Sequence, residues 1–116
     1  MLRLKRIYEK ADPADGERIL VDRLWPRGLT KADAKLDEWL QHLAPSNDLR
    51  RWFGHDPALW VEFQKRYRKE LENRAAELLS LRRRSRRGTV TLLYAAADAE
   101  HNNAAALKAI LESIGE

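Results

Sequence analysis

Two short apolar segments, residues 19–25 and 89–95, are separated by about sixty residues in which apolar side chains recur with the period of a helix. Both segments are typical of strands that are covered on both faces, because their apolar residues are nearly continuous rather than alternating. A connection of this length, built from helices, implies that the two strands are parallel. The pattern therefore predicts an α/β fold, in which ligands bind beyond the carboxyl ends of the strands.

The remaining elements follow from shorter patterns. Residues 2–8 alternate loosely and predict a first strand, whose direction stays open because a short connection without a helix joins it to the second. Helices are predicted over residues 36–43, from Ser46 to Gly54, from Asp56 to Leu71, over 75–87 and over 106–114. The third and fourth of these form one long bent helix or break near Asn73. The predicted order is β-β-α-α-α-α-β-α, a small sheet of about three strands packed with about five helices.

Composition limits the class of protein. The 116 residues, of which 44% are apolar, suffice for a core of their own, so residues 1–116 are predicted to form a single α/β domain. The absence of cysteine excludes disulfides and thiolate sites and fits a reducing compartment. No apolar run approaches the ~20 residues of a membrane span, and residues 1–6 lack the apolar stretch of a signal peptide. We therefore expect a cytoplasmic protein with no membrane partner.

The carboxyl end of the segment 19–25 is the strongest candidate for a functional surface. Residues 22–28 read DRLWPRG, so two arginines flank a tryptophan, an arrangement that suits a planar anion or a base. Tyr94 ends the later strand, and the loop after it leads into a helix whose first N–H groups favour an anion near Asn102. A small anionic or nucleotide-like ligand is therefore predicted here. The predicted ligand-binding residues are Arg23, Trp25, Arg27, His55, Tyr94 and Asn102.

An enzymatic version of this hypothesis uses Asp22 or His101 as the acid or base of a transfer or hydrolysis reaction. Each candidate has a structural alternative. Asp22 can form an ion pair with Arg23 or accept hydrogen bonds from loop N–H groups. Trp25 can belong to the core, and His101 can form part of a helix cap. His55 can simply face water. No metal site or cofactor is predicted, because His42, His55 and His101 are far apart in the sequence and form no HExxH-type spacing.

The competing hypothesis is a nucleic-acid-binding or regulatory module. The net charge is +4, and five arginines cluster within six residues, namely Arg82, Arg83, Arg84, Arg86 and Arg87. Cations in the last turn of a helix also stabilise the negative end of its dipole, and no aromatic residue is interleaved to stack on a base. A solvated helix end is therefore favoured over a nucleic-acid surface. A module that only binds other proteins is a third possibility.

Four strings in this chain resemble motifs of the YeaO-like family of small bacterial proteins: RILVDRLWPRG, LAPSNDLRRWFGHD, FQKRYRKEL and VTLLYAAADAEHNNAAAL. That family is part of a larger one named only as a domain of unknown function. The resemblance covers nearly the whole chain and implies an α/β fold and a cytoplasmic bacterial protein, but no established activity. In distant members the last loop carries a Cys and a His-Arg pair. Here that loop has no Cys and reads His101-Asn102, so thiol chemistry is not implied.

The signature of the family extends beyond the predicted strand ends. It falls on Asp22, Arg23, Trp25, Pro26, Arg27, Gly28, Pro45, Ser46, Leu49, Arg50, Phe53, His55, Tyr67, Tyr94, Asn102 and Asn103.

Overall fold

The computed structural model describes residues 1–114; residues 115 and 116 of the predicted domain lie outside the described part. Within residues 1–114, four strands form one parallel sheet in the order β1-β4-β2-β3. The strands are β1 (Leu2–Arg6), β2 (Glu17–Leu20), β3 (Glu38–Trp39) and β4 (Val90–Tyr94). The α/β class is confirmed, and β2 and β4 are direct parallel neighbours, as the long helical connection predicts. The first strand is also parallel to β4, which settles its direction.

The helices are α1 (Lys31–Ala34), α2 (Asn47–Phe53), α3 (Trp60–Glu70), α4 (Ala75–Arg87) and α5 (Asn103–Glu112). Helices α2 and α5 are capped by Ser46 and Asn102, whose side chains each accept a hydrogen bond from the first turn of the helix that follows. Asp56 caps a 3₁₀ turn that leads into α3. Of the two alternatives for residues 56–87, the break is the observed one, because a 3₁₀ turn at Glu72–Arg74 separates α3 from α4. Among residues 1–114, no helix has the length and apolar character to cross a membrane.

The helix predicted over residues 36–43 is wrong. After α1, Lys35 adopts a left-handed conformation and the chain turns back along β2. The N–H of Asp37 donates to Arg18 O (2.9 Å) and the N–H of Leu40 donates to Leu20 O (2.9 Å), which places β3 beside β2. Leu36 then packs on one face of the sheet and Leu43 on the other. Sheet pairing has overridden a helical spacing of apolar residues.

The two faces of the sheet are covered differently. Helices α2 to α5 pack on one face, where the main core includes Leu92, Phe63 and Tyr67. The opposite face carries a small core of Ile7, Leu20, Ala34 and Leu93, against which Trp25, Leu29, Leu36 and Ala95 pack. The segment between β2 and β3 therefore covers this face, largely without helix. It begins at Val21, because β2 ends at Leu20, earlier than the predicted strand 19–25.

A buried ion pair lies near the start of β2. Asp15 is 1% exposed and Arg18 is 6% exposed. Arg18 Nη1 donates to Asp15 Oδ2 (2.6 Å), and its other nitrogens donate to Ala34 O (2.9 Å) and Lys35 O (3.0 Å). Burial alone raises the pKa of Asp15, but hydrogen bonds from the Asp12 N–H, Lys5 and Arg18 outweigh it, and the pKa lies below its ordinary value.

Candidate functional site

A cavity of about 420 Å³ lies beyond the carboxyl ends of β1, β2 and β4. Arg6 is the last residue of β1, and Asp22 and Ala95 follow β2 and β4. Because β4 lies between β1 and β2, these three positions are brought together although they are far apart in sequence. Further lining residues come from α2 and from the start of α5. The volume lies within the range of about 300 to 1,000 Å³ that is typical of small-molecule sites.

Six of the eight predicted site residues line this cavity: Asp22, Arg23, Trp25, Arg27, His55 and Asn102. Tyr94 does not line it, because its side chain faces the main core with Val90 and Leu92, on the same side of β4. Tyr94 is 5% exposed, and this burial raises its pKa. His101 does not line it either. Its Nδ1 is 2.8 Å from Asp98 Oδ2, and its ring lies edge-on to Trp60.

Each carboxylate oxygen of Asp22 accepts one hydrogen bond from the protein. Oδ2 accepts from the Ala95 N–H (2.8 Å) and Oδ1 accepts from Asn103 Nδ2 (3.1 Å). Burial raises the pKa of Asp22, and the two hydrogen bonds and the nearby His55 offset that rise only in part. Asp22 thus joins the end of β2 to the end of β4 and to the first residue of α5, which is the structural alternative considered from the sequence.

Replacing Asp22 with alanine tests this bracing role. The Ala95 N–H and the Asn103 amide would lose their acceptor, and we expect the free energy of unfolding to fall by about 1 to 3 kcal/mol. Asp22→Asn keeps one acceptor oxygen and should cost less. Urea denaturation of both variants measures the difference. Equal stability of Asp22→Ala and the wild type would contradict the bracing role.

The loop from Asp22 to Leu29 is held in place through its main-chain carbonyls. Four side chains donate to them: Trp39 Nε1 to Asp22 O (2.7 Å), Gln41 Nε2 to Arg23 O (2.8 Å), Tyr8 Oη to Arg27 O (2.8 Å) and Trp25 Nε1 to Leu29 O (2.6 Å). Gly28 has a φ of +73°, a value that glycine adopts without strain. The side chains at positions 24 and 27 take no part in fixing the loop.

The two arginines of this loop, Arg23 and Arg27, differ in the hydrogen bonds that their side chains form. Arg23 Nε donates to Pro45 O (2.8 Å) and its Nη2 to Ala44 O (3.3 Å), so the side chain ties the loop to the segment before α2. Arg27 is exposed, and within residues 1–114 its guanidinium has no hydrogen bond or ion pair. Its five N–H donors are therefore available to a ligand.

Two more arginines line the cavity, and neither is among the predicted site residues. Arg6 Nε donates to Ala95 O (3.1 Å) and Ala96 O (3.0 Å), and its guanidinium lies 4.8 Å from the centre of the Tyr8 ring. Nothing in the local sequence marks Arg6 as a site residue. It reaches the cavity because the strand order places β1 beside β4. Arg50 does carry a signal. It lies within LAPSNDLRRWFGHD, one of the four motifs that resemble the YeaO-like family, and stands one helical turn before Phe53, which also lines the cavity.

Of the three other predicted residues in the lining, Trp25 and Asn102 also have structural roles. Trp25 packs edge-on against Trp39, with ring centroids 5.4 Å apart, and also lines the cavity. Asn102 is 3% exposed, and its amide is used within the protein: Oδ1 accepts from the Ala105 N–H and Nδ2 donates to Asp98 O. His55 is exposed and has a φ of +57°, which is uncommon for a residue with a side chain.

The five arginines at the end of α4 differ in their burial and in their partners. Arg84 Nη2 lies 2.6 Å from Glu17 Oε1 and 2.5 Å from Glu38 Oε1, so it links α4 to β2 and β3. Arg82 is half-buried, whereas Arg83, Arg86 and Arg87 are exposed. Among residues 1–114, no three acidic or histidine side chains are grouped so that they could hold a metal ion.

A family model described as the inactive DUF488-N3 subclade matches residues 1–115. The chain belongs to this family. It is 42% identical over 110 residues to uncharacterized proteins of Mycobacterium tuberculosis and Mycobacterium bovis, covering 95% of this chain and 92% of theirs. It is 39% identical over 113 residues to the uncharacterized protein YeaO of Escherichia coli K12, covering 97% of this chain and 98% of YeaO. The YeaO-like resemblance of the four motifs is thereby confirmed, and no solved structure matches the chain.

Proposed function

We propose that this protein binds a small anionic or nucleotide-like ligand in the cavity at the strand ends. The observation that carries the proposal is the charge of the lining. Arg6, Arg23, Arg27 and Arg50 line the cavity, and the one carboxylate among its lining residues, Asp22, is already engaged by Ala95 and Asn103. Guanidinium groups bind phosphates and carboxylates with short, charge-assisted hydrogen bonds. A ligand with negative charge therefore fits the cavity best.

The proposed activity is binding without chemical conversion. Neither of the two residues predicted as acid or base is free of a structural role, because each oxygen of Asp22 accepts a hydrogen bond that braces the strand ends and His101 bonds Asp98 outside the cavity lining. The description of the family as an inactive subclade supports the same view. A binding protein of this kind responds to the concentration of its ligand. Its cytoplasmic location stays a prediction.

Nucleic-acid binding through residues 82–87 stays the alternative hypothesis, and we do not favour it. The Arg84 guanidinium is paired with Glu17 and Glu38 and is thereby withdrawn from any contact with phosphates. The remaining exposed arginines form a shorter patch than the sequence suggests.

Arg27→Gln tests the proposed site. The substitution removes an exposed, unpaired cation, so we expect the affinity for adenosine 5′-monophosphate, measured by isothermal titration calorimetry, to fall about tenfold or more. The thermal midpoint of the ligand-free protein should stay the same, because surface substitutions of this kind change stability by only about 0.5 kcal/mol.

Arg51→Gln is the matched control. Arg51 is also exposed, lies on α2 and does not line the cavity, so its loss changes the net charge equally. A similar fall in affinity in both variants would point to general charge attraction and contradict the site. Unfolding of Arg27→Gln would show that the residue is structural.

A further inference from the structure

We infer that Arg50 anchors the ligand and that the ligand is a phosphate monoester of a planar ring, the chemistry of a nucleoside monophosphate. This inference rests on the proposed function and makes it more specific. It assigns a site role to a residue on α2 rather than on the strand-end loops.

Arg50 carries a buried donor with no acceptor. Among the buried side-chain nitrogen and oxygen atoms of residues 1–114, two have no hydrogen-bond partner, Arg50 Nε and Arg82 Nε. Of these two residues, Arg50 lines the cavity. The remaining contact of its guanidinium is a long one, 3.5 Å from Nη2 to Asn47 Oδ1. Buried donors are nearly always paired in native proteins, and an acceptor on a ligand in the cavity would pair this one.

The charge around Arg50 selects the kind of acceptor. No carboxylate of residues 1–114 forms an ion pair with Arg50 or Arg27, so both cations are uncompensated by the protein. Arg23, by contrast, is oriented by two carbonyl acceptors. A phosphate monoester is close to doubly negative at neutral pH and offers three acceptor oxygens. It can satisfy two guanidinium groups at once, whereas a single carboxylate offers two oxygens and one charge.

The rest of the lining indicates a planar ring. Tyr8 and Trp25 contribute aromatic side chains to the same cavity, whereas Phe53 is 4% exposed and already stacks on Phe63. A cavity of about 420 Å³ is larger than an inorganic phosphate requires. Aromatic rings stack favourably on nucleobases, and Trp and Tyr do so with little loss of side-chain freedom. The anion and the ring therefore belong to one ligand.

Helix α2 holds the backbone of Arg50 in a fixed position before the ligand arrives. Ser46 caps its first turn and Gly54, with a φ of +53°, ends it. Ser46 is itself tied to α3, since its N–H donates to Glu70 Oε1 (2.8 Å). The backbone at Arg50 is therefore ordered before binding, and the remaining ordering cost is that of its side chain.

The test compares four probes by isothermal titration calorimetry: adenosine 5′-monophosphate, adenosine, inorganic phosphate and malonate. We expect the wild type to bind adenosine 5′-monophosphate most tightly, because only this probe has both the phosphate and the ring. In Arg50→Gln its affinity should fall about tenfold to a hundredfold, and in Arg51→Gln it should stay within about twofold.

Several results would overturn the inference. If adenosine binds as tightly as its monophosphate, the phosphate is not recognised. If Arg50→Gln binds adenosine 5′-monophosphate as tightly as the wild type, Arg50 is not the anchor. Malonate that binds most tightly, with Arg27-dependent affinity, would leave the proposed function standing and reject the phosphate monoester. If no probe binds the wild type, both fail.

A second measurement does not depend on the folding of a variant. In a ¹H–¹⁵N spectrum of the wild-type protein, the Nε–H signal of Arg50 should shift when adenosine 5′-monophosphate is added, because a phosphate oxygen becomes its acceptor. The signal of Arg66 Nε, which already bonds Glu62 Oε2 on an exposed face of α3, should not shift. An unmoved Arg50 signal at saturating ligand would overturn the anchor.

Discussion

Replacing Gly16 with alanine is expected to destabilise the protein by about 4 kcal/mol or more, a loss that few single substitutions cause. Gly16 has a φ of +63°, and an added Cβ would lie 2.2 Å from the main-chain oxygen of Thr89. That oxygen cannot easily move, because it accepts the hydrogen bond from the Glu17 N–H (3.0 Å) that begins the pairing of β2 with β4. The substitution therefore disturbs the centre of the sheet.

Gly28→Ala is the matched control for this prediction. Gly28 has a similar φ of +73°, but no heavy atom lies within 4 Å of the added Cβ. It should cost only the conformational penalty of about 1 to 2 kcal/mol. Urea denaturation of both variants gives the two free energies. Equal losses would mean that conformation alone matters and that the close approach at Thr89 does not.

The second large effect concerns the buried pair of Asp15 and Arg18. Arg18→Met keeps much of the side-chain volume but leaves the Asp15 carboxylate with Lys5 as its remaining cation and the carbonyls of Ala34 and Lys35 without their donor. Removal of one member of a buried ion pair costs about 3 to 5 kcal/mol. Lys108→Met, which removes an exposed pair with Glu112, should cost about 0.5 kcal/mol or less. Similar losses in the two variants would contradict the importance of the buried pair.

The same pair predicts a pH dependence. Because the pKa of Asp15 is lower in the folded protein than its ordinary value of 3.8, its ionised form stabilises the fold above that value. This stabilisation is lost as the pH falls through the lower, folded pKa. We expect Asp15→Asn to be less stable than the wild type at neutral pH and to lose less stability in acid. A parallel acid response of the two proteins, followed by circular dichroism, would refute this.

The central strands and the helix ends could be predicted from the sequence because their signals are local. The continuous apolar segments 19–25 and 89–95 and the cap residues Ser46 and Asn102 each carry their own physical reason to form the structure observed. The strand β3 could not be predicted, since its two residues pair with β2 only after the left-handed turn at Lys35 has redirected the chain. Arg18 likewise has no distinguishing feature in the sequence, because its environment with Asp15 and Lys5 is apparent only in the folded structure.

Some of the residues that line the cavity could likewise be predicted from the sequence, and others could not. Asp22, Arg23 and Arg27 follow directly from their position after a strand in a parallel sheet. Tyr94 could have been assigned to the core, because residues 90, 92 and 94 of a strand share one face. Arg6 and Arg50 depend on tertiary placement, Arg6 through the order of the strands and Arg50 through the packing of α2 over their ends.

The attachment of the loop 22–29 has a consequence for how such proteins diversify. Its course is fixed by side chains that bond the carbonyls of Asp22, Arg23, Arg27 and Leu29, and every residue type has a carbonyl. Positions 24 and 27 can therefore change in size or charge while the loop keeps its shape. Substitutions at those two positions, in evolution or by design, can therefore change which ligands the cavity prefers without changing the conformation of the loop.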